Sequence, residues 1–185
     1  MRVSRLITAA AIVLAVAVPT YALAQVESTP IPAPAKPNFS SMSFLVGTWS
    51  CSTKSSRRPA PYMTTVTYSL DSSGYWLNQT STTKPTAWVK NKLTINDKIT
   101  YDPDTHRWAD VSYGDGGTYG MSFSKGWDGN ELVWHDVSFA PGPDIASQSD
   151  TTITKVSATK ITLASSFTEA KAGRHVSVAG TCTKS

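Results

Sequence analysis

From Tyr62 to Thr183 the chain repeats one pattern, short segments of alternating apolar and polar residues cut by Gly, Pro, Asn and Asp turns. A period of two puts successive side chains on opposite faces of an extended strand, so it fits a sheet and not a helix. Tyr62, Thr64, Val66, Tyr68 and Leu70 form one face, with Met63, Thr65, Thr67 and Ser69 on the other. Asp71-Ser72-Ser73-Gly74 then turns the chain into a return strand from Tyr75 to Thr83, predicting a hairpin. Lys84-Pro85 breaks that run, and residues 84–92 read as a loop containing Trp88.

Leu93, Ile95, Ile99 and Tyr101 resume the alternation, with Asp97 intruding on their apolar face. Asp102-Pro103-Asp104-Thr105 is a turn with proline at its second position. Further strands are predicted over 107–113, 119–124, 131–139, 150–156, 161–168 and 174–183, most joined by tight turns such as Gly114-Asp115-Gly116-Gly117. Ala140-Pro141-Gly142-Pro143 opens a longer loop. With a first strand over Phe44-Leu45-Val46-Gly47-Thr48-Trp49-Ser50-Cys51, the count reaches about ten, and no amphipathic helix competes. The expected class is all-β, an antiparallel up-and-down β-barrel or a sandwich. A barrel of ten strands is wider than side chains readily fill, which leaves room for a ligand.

Gly47 and Trp49 share a face with Leu45 and Cys51, which suits the base of a barrel where a partner backbone approaches closely. Cys51 lies in the first strand and Cys182 in the last. A bridge between them favours closure of the sheet on itself, and a loop this long is worth about 4–5 kcal/mol in the chain-entropy account. Neither cysteine has the C-x-x-C spacing of redox chemistry. Asn38 to Ser43 can cap a single helical turn that plugs one end of the fold.

An oxidising compartment agrees with the start of the chain. Arg2 and Arg5 precede an apolar run from Leu6 to Val18, and Ala22-Leu23-Ala24 forms a cleavage site. Residues 1–24 read as a secretory signal peptide, which places the mature protein outside the cytosol, secreted or periplasmic, with no membrane span. Residues 25–38, with Pro30, Pro32, Pro34 and Pro37, read as an extended tether with no reason to pack. A single barrel domain over 39–185 follows. The leader contributes two of the 17 basic residues and none of the 13 acidic ones, so the mature charge falls to about +2. That scattered excess excludes a nucleic-acid footprint, which needs clustered Lys and Arg. Oligomeric state cannot be read from these residues.

Leu45-Val46-Gly47-Thr48-Trp49 followed by this meander resembles the opening of the calycin-type barrels, and more narrowly the nitrobindin-like group and related exported bacterial barrels of unknown function. The resemblance covers roughly residues 38–185. It implies haem held through a histidine in the final strand, where this chain has His175, and chemistry on nitric oxide or peroxynitrite. The chain departs from the nitrobindin pattern after Trp49, where Ser50-Cys51-Ser52-Thr53 replace the expected glycines.

Strand parity bears on His175 independently. If Cys51 and Cys182 pair across neighbouring strands they share a side of the sheet with Trp49. Val176, Val178 and Gly180 then face inward and His175 faces solvent, unless a bulge at Gly180 reverses the alternation. The histidines His106, His135 and His175 lack local metal-ligand spacing. Asp97, Asp110 and Asp136 sit within strands and can form an acid–base pair in a cavity, though alternation also allows them to face outward. No catalytic residue is assigned. Trp49, Trp76, Trp108 and Trp134 are the candidate lining of a ligand cavity, or else sheet-packing aromatics. The function expected first is a binding module for a small apolar molecule, with a haem protein and a structural or interaction barrel as alternatives.

Overall fold

The structure is a computed structural model that describes residues 32–88, 90–140, 145–169 and 173–185, with the backbone alone for 137–140 and 145–148. The expected leader, 1–24, and most of the tether lie outside the described residues. The chain divides into Met1–Pro34, of which only 32–34 are described, and Ala35–Ser185, which contains the whole sheet.

The second unit opens with a 3-10 helix, η1 (Phe39–Leu45). Eleven strands follow: β1 (Gly47–Ser55), β2 (Tyr62–Leu70), β3 (Leu77–Thr83), β4 (Leu93–Asp102), β5 (Arg107–Gly114), β6 (Tyr119–Ser124), a two-residue β7 (Trp127–Asp128), β8 (Glu131–Ala140), β9 (Ile145–Ser157), β10 (Lys160–Glu169) and β11 (His175–Lys184). Each long strand pairs antiparallel with its sequence neighbours, β11 pairs with β1, and β6 pairs directly with β8 past the short β7. The result is a closed ten-strand antiparallel barrel, as the periodicity predicts, and closure removes the sheet edges.

Boundaries differ from expectation at the first strand, where Leu45 belongs to η1 and β1 runs on to Ser55, at the added β7, and most at β3 and β9. β3 begins at Leu77 because the turn after β2 is longer than four residues. Asp71 accepts hydrogen bonds from the Ser73 hydroxyl and the Gly74 amide, and its own amide donates to the Trp76 carbonyl, so the turn runs to Trp76. β9 begins at Ile145, and irregular register against β10 between Ser166 and Thr168 interrupts its early part, hiding the strand from a period-two reading.

The plug is present as expected. Asn38 Oδ1 caps η1 by accepting from the Ser40 amide at 3.0 Å. Phe39, Met42 and Leu45 are buried and pack with Trp49, Tyr68, Leu77, Ile99, Trp108, Leu132, Trp134 and Ile161 at one end of the barrel. Trp49 is completely buried, and its indole donates to the Leu45 carbonyl at 2.8 Å, tying strand to plug. Lys184, from the end of β11, donates to the Phe44 carbonyl at 2.9 Å and lies over the Phe44 and Trp49 rings. Gly47 has φ of 122°, and a Cβ there would meet Lys184 Cε at 2.9 Å. Its glycine therefore answers to backbone conformation and a packed lysine stem, and not to the close backbone approach expected from sequence. The end of the tether also packs more than expected: Lys36 lies over the Tyr75 ring at 5.6 Å, and Asn38 is the helix cap.

Cys51 and Cys182 stand directly opposite in the β1–β11 register and form a disulfide across 131 residues. The β11 register against both neighbours runs without a shift through Gly180. No bulge reverses the alternation.

Candidate functional site

The uninterrupted register fixes which side chains enter the barrel. Along β1 these are Trp49, Cys51 and Thr53, and along β2 they are Tyr62, Thr64, Val66 and Tyr68. Parity carries the pattern around the ring, and the inward residues enclose a cavity of about 390 Å³. Its floor is Leu45 and Trp49, against the plug. The apolar part of the lining is Val66, Ile99, Trp134, Ile153, Ile161 and Leu163. At the end away from the plug the lining turns to Tyr62, Thr64, Thr83, Ile95, Ser165 and Val178. Ile95 is 43% exposed although it lines the cavity, so the cavity meets solvent there.

Polar groups cross several of the same strands. Tyr68 on β2 stands opposite Gln79 on β3, and Gln79 opposite Asp97 on β4. Asp110 on β5 stands opposite Ser122 on β6, and Ser122 opposite Asp136 on β8. A belt of polar groups thus runs halfway around the barrel, and it contains three aspartates. Asp97 is 6% exposed and accepts from Gln79 Nε2 at 2.6 Å through Oδ2. Asp136 is buried and accepts from the Ser149 hydroxyl. Asp110 lines the cavity, and its Oδ1 is fully buried with no hydrogen-bond partner.

Burial disfavours the charged form of all three. It pushes Asp97 up to about 7, against the pull of the Gln79 hydrogen bond. It pushes Asp110 up to about 8, with the Asp97 and Asp136 charges adding to the effect. Asp136 is raised by burial too, opposed by the Ser149 hydrogen bond. Tyr68 lies well above the ordinary phenol value through burial and the Asp97 and Asp110 charges. Among the described residues, no Lys, Arg or His belongs to the cavity lining.

A fourth buried acid provides the contrast. Glu169, at the far end of β10, has a side chain only 3% exposed, and Arg57 and Arg174 meet it at 2.9 and 2.8 Å. Hydrogen bonding from Arg174 is the main cause that holds its carboxyl below the ordinary range. Burial is common to all four acids, but among the described residues only Glu169 is met by arginines.

Parity alone left the direction of the three aspartates open. One signal was available: Asp110 follows Trp108, and Asp136 follows Trp134, each at the next same-face position, while Asp97 sits between Ile95 and Ile99. An acid in register with residues that must be buried is an inward acid.

Of the tryptophans, Trp49 and Trp134 belong to the lining, whereas Trp76 and Trp108 do not. Trp108 is at the plugged end, its ring 5.4 Å from Phe39 and 5.3 Å from Tyr101, and Trp76 is half-buried in the β2–β3 turn. His175 is exposed at the start of β11, beside the completely buried Val176. It faces away from the cavity, so the residues present do not fit a haem held inside the barrel through this histidine. His135 is also on the outer face, 2.8 Å from Asp150, and His106 is in the exposed β4–β5 turn. Among the described residues, no three His, Cys, Asp or Glu side chains come together as a metal site. No helix is long and apolar enough to cross a membrane among them either.

No family model matches the chain, and no curated protein does. A solved structure from Nostoc punctiforme, of a DUF3598-family protein of unknown function, is similar at 15% identity with a TM-score of 0.39. The match covers 86% of this chain and 53% of that one, so the chain spans about half the length of its structural neighbour.

Proposed function

We propose that this protein is an exported binding module whose barrel holds a small molecule with a largely apolar body. The observation that carries the reading is the cavity of about 390 Å³, floored by the plug and open at the opposite end. Its volume falls within the roughly 300–1,000 Å³ of small-molecule sites, and an apolar lining with a few convergent polar groups is their usual composition. A side-chain-filled interior would have left only a structural or interaction role. The disulfide between the first and last strands and the leader read over 1–24 support an oxidising compartment. No step of bond-making chemistry is assigned, and the haem reading is not carried forward because His175 faces away from the interior.

Native mass spectrometry of the mature protein from its own source tests this. The expected result is a polypeptide beginning at Gln25 with a small molecule that is released on denaturation. A bare polypeptide that also fails to enhance the fluorescence of the neutral apolar probe N-phenyl-1-naphthylamine contradicts the reading.

A further inference from the structure

We infer that the cavity selects a small organic cation, an ammonium group on an apolar body, and that Asp110 meets its charge. This rests on the binding reading above and adds the ligand class. Three observations carry it. The cavity lining combines apolar side chains, those of β9 and β10 together with Val66, Ile99 and Trp134, with a belt of polar groups, a composition for a molecule with an apolar body and a polar head. The lining holds two aspartates, Asp110 and Asp136, and no basic side chain among the described residues, whereas Glu169 is met by two arginines. Asp110 Oδ1 is a fully buried acceptor with no partner, and Gln79 occupies only one oxygen of the deeply buried Asp97. A buried acceptor left without a donor is unfavourable, and a charged donor is its strongest complement.

The spacing argues against a bare metal ion. Asp110 and Asp136 lie on strands separated by β6, so their backbones stand about 9–10 Å apart by ordinary strand spacing. Among the described residues the three do not converge as a metal site. An ammonium offers several N–H donors at different angles and suits acceptors spread around a wall.

The groups facing Asp110 set the pH dependence. They are Asp97 from β4, Asp136 from β8 and Tyr68 from β2, with Tyr62 nearer the mouth and the neutral Ser122 and Gln79 between them. From the outer face, Asp150 raises and His135 lowers Asp136. Burial pushes Asp97 up to about 7 and Asp110 up to about 8, so a cation binds better once these two ionise. Affinity therefore rises from about pH 6 to about pH 8.5.

Isothermal titration of the mature protein with 2-phenylethylammonium chloride and with its neutral counterpart 2-phenylethanol provides the test. The expected result is a preference for the ammonium of about tenfold or more at about pH 8.5, shrinking towards about pH 6 and lost in Asp110→Asn. Asn nearly preserves shape, and Asp136→Asn provides a second, weaker reduction should Asp110→Asn not fold. Equal affinity for amine and alcohol, a flat pH profile, or a preference unchanged in both variants overturns the inference and leaves the binding reading standing. If amine, alcohol and N-phenyl-1-naphthylamine all fail to bind, the binding reading itself fails and this inference with it.

Discussion

The two ends of the barrel are built from the same strands and do opposite things. At the plugged end the inward positions are mostly large and apolar, η1 packs against them, and Trp49, Met42, Leu45, Leu77, Ile99 and Leu132 have essentially no exposed surface. Towards the open end the inward positions become Thr53, Thr64, Thr83, Ser81 and Ser165, too small to meet across ten strands. One end supplies the burial that holds the fold, so the other can remain hollow. The three aspartates sit between these regions, deep enough to lose solvent but beside the cavity.

The contrast predicts a graded response to mutation. Trp49→Ala removes a completely buried indole and its hydrogen bond to Leu45, and is expected to lower unfolding stability by about 3–5 kcal/mol in chemical denaturation. A loss below about 1 kcal/mol would mean that the plugged end is not the stabilising one. Replacing Cys51 and Cys182 together by Ala opens the ring-closing bridge and is expected to lower stability by about 2–5 kcal/mol.

A third test uses pH. Asp97 and Asp110 have folded pKa values of about 7 and about 8, above the ordinary 3.8, so between these limits the folded protein holds protons that the unfolded chain has released. Their contribution makes stability fall as pH rises from about 4 to about 8. Asp110→Asn should flatten that fall, raising stability at high pH and leaving it unchanged near pH 4; denaturation midpoints across the range read it directly. Glu169 behaves in the opposite sense. Its folded pKa is depressed, so its contribution is present above the ordinary carboxylate pKa and disappears as pH falls through the folded value. Glu169→Gln should therefore weaken the protein at neutral pH and leave it unchanged in acid. Smallest is the effect at the mouth. Thr64 and Thr83 share a hydrogen bond at 3.0 Å, and replacing both by Val removes donor and acceptor together, so stability should stay within about 1 kcal/mol.

Much of this architecture is legible in the sequence because a two-residue period and short turns leave few alternatives. The hairpins, the capped turn before Val46 and the Cys51–Cys182 pairing follow from local pattern, and the pairing then turns His175 outward by counting alone. The irregular parts are not local. β9 loses its alternation where its register against β10 shifts, and the β2–β3 turn is extended by hydrogen bonds from Asp71 that no turn motif specifies. Trp76 and Trp108 resembled Trp49 and Trp134 as cavity candidates because composition does not tell the ends of a strand apart. Trp108 is the second residue of β5 and meets the plug, while Trp134 is the fourth of β8 and reaches the cavity. The same-face tryptophans and isoleucines hint at the inward direction of the aspartates, but that they join one belt follows only from the register of three strand pairs.

A matched pair of enlargements tests the central claim most directly. Leu132, completely buried at the plugged end, and Val178, in the cavity lining, are each replaced by Trp, and unfolding free energies are compared with the unmodified protein. Leu132→Trp should overpack its site and lose about 1–3 kcal/mol or more. Val178→Trp should stay within about 1 kcal/mol and abolish uptake of N-phenyl-1-naphthylamine. Equal destabilisation by both, or unchanged uptake in Val178→Trp, would contradict a barrel packed at one end and hollow at the other.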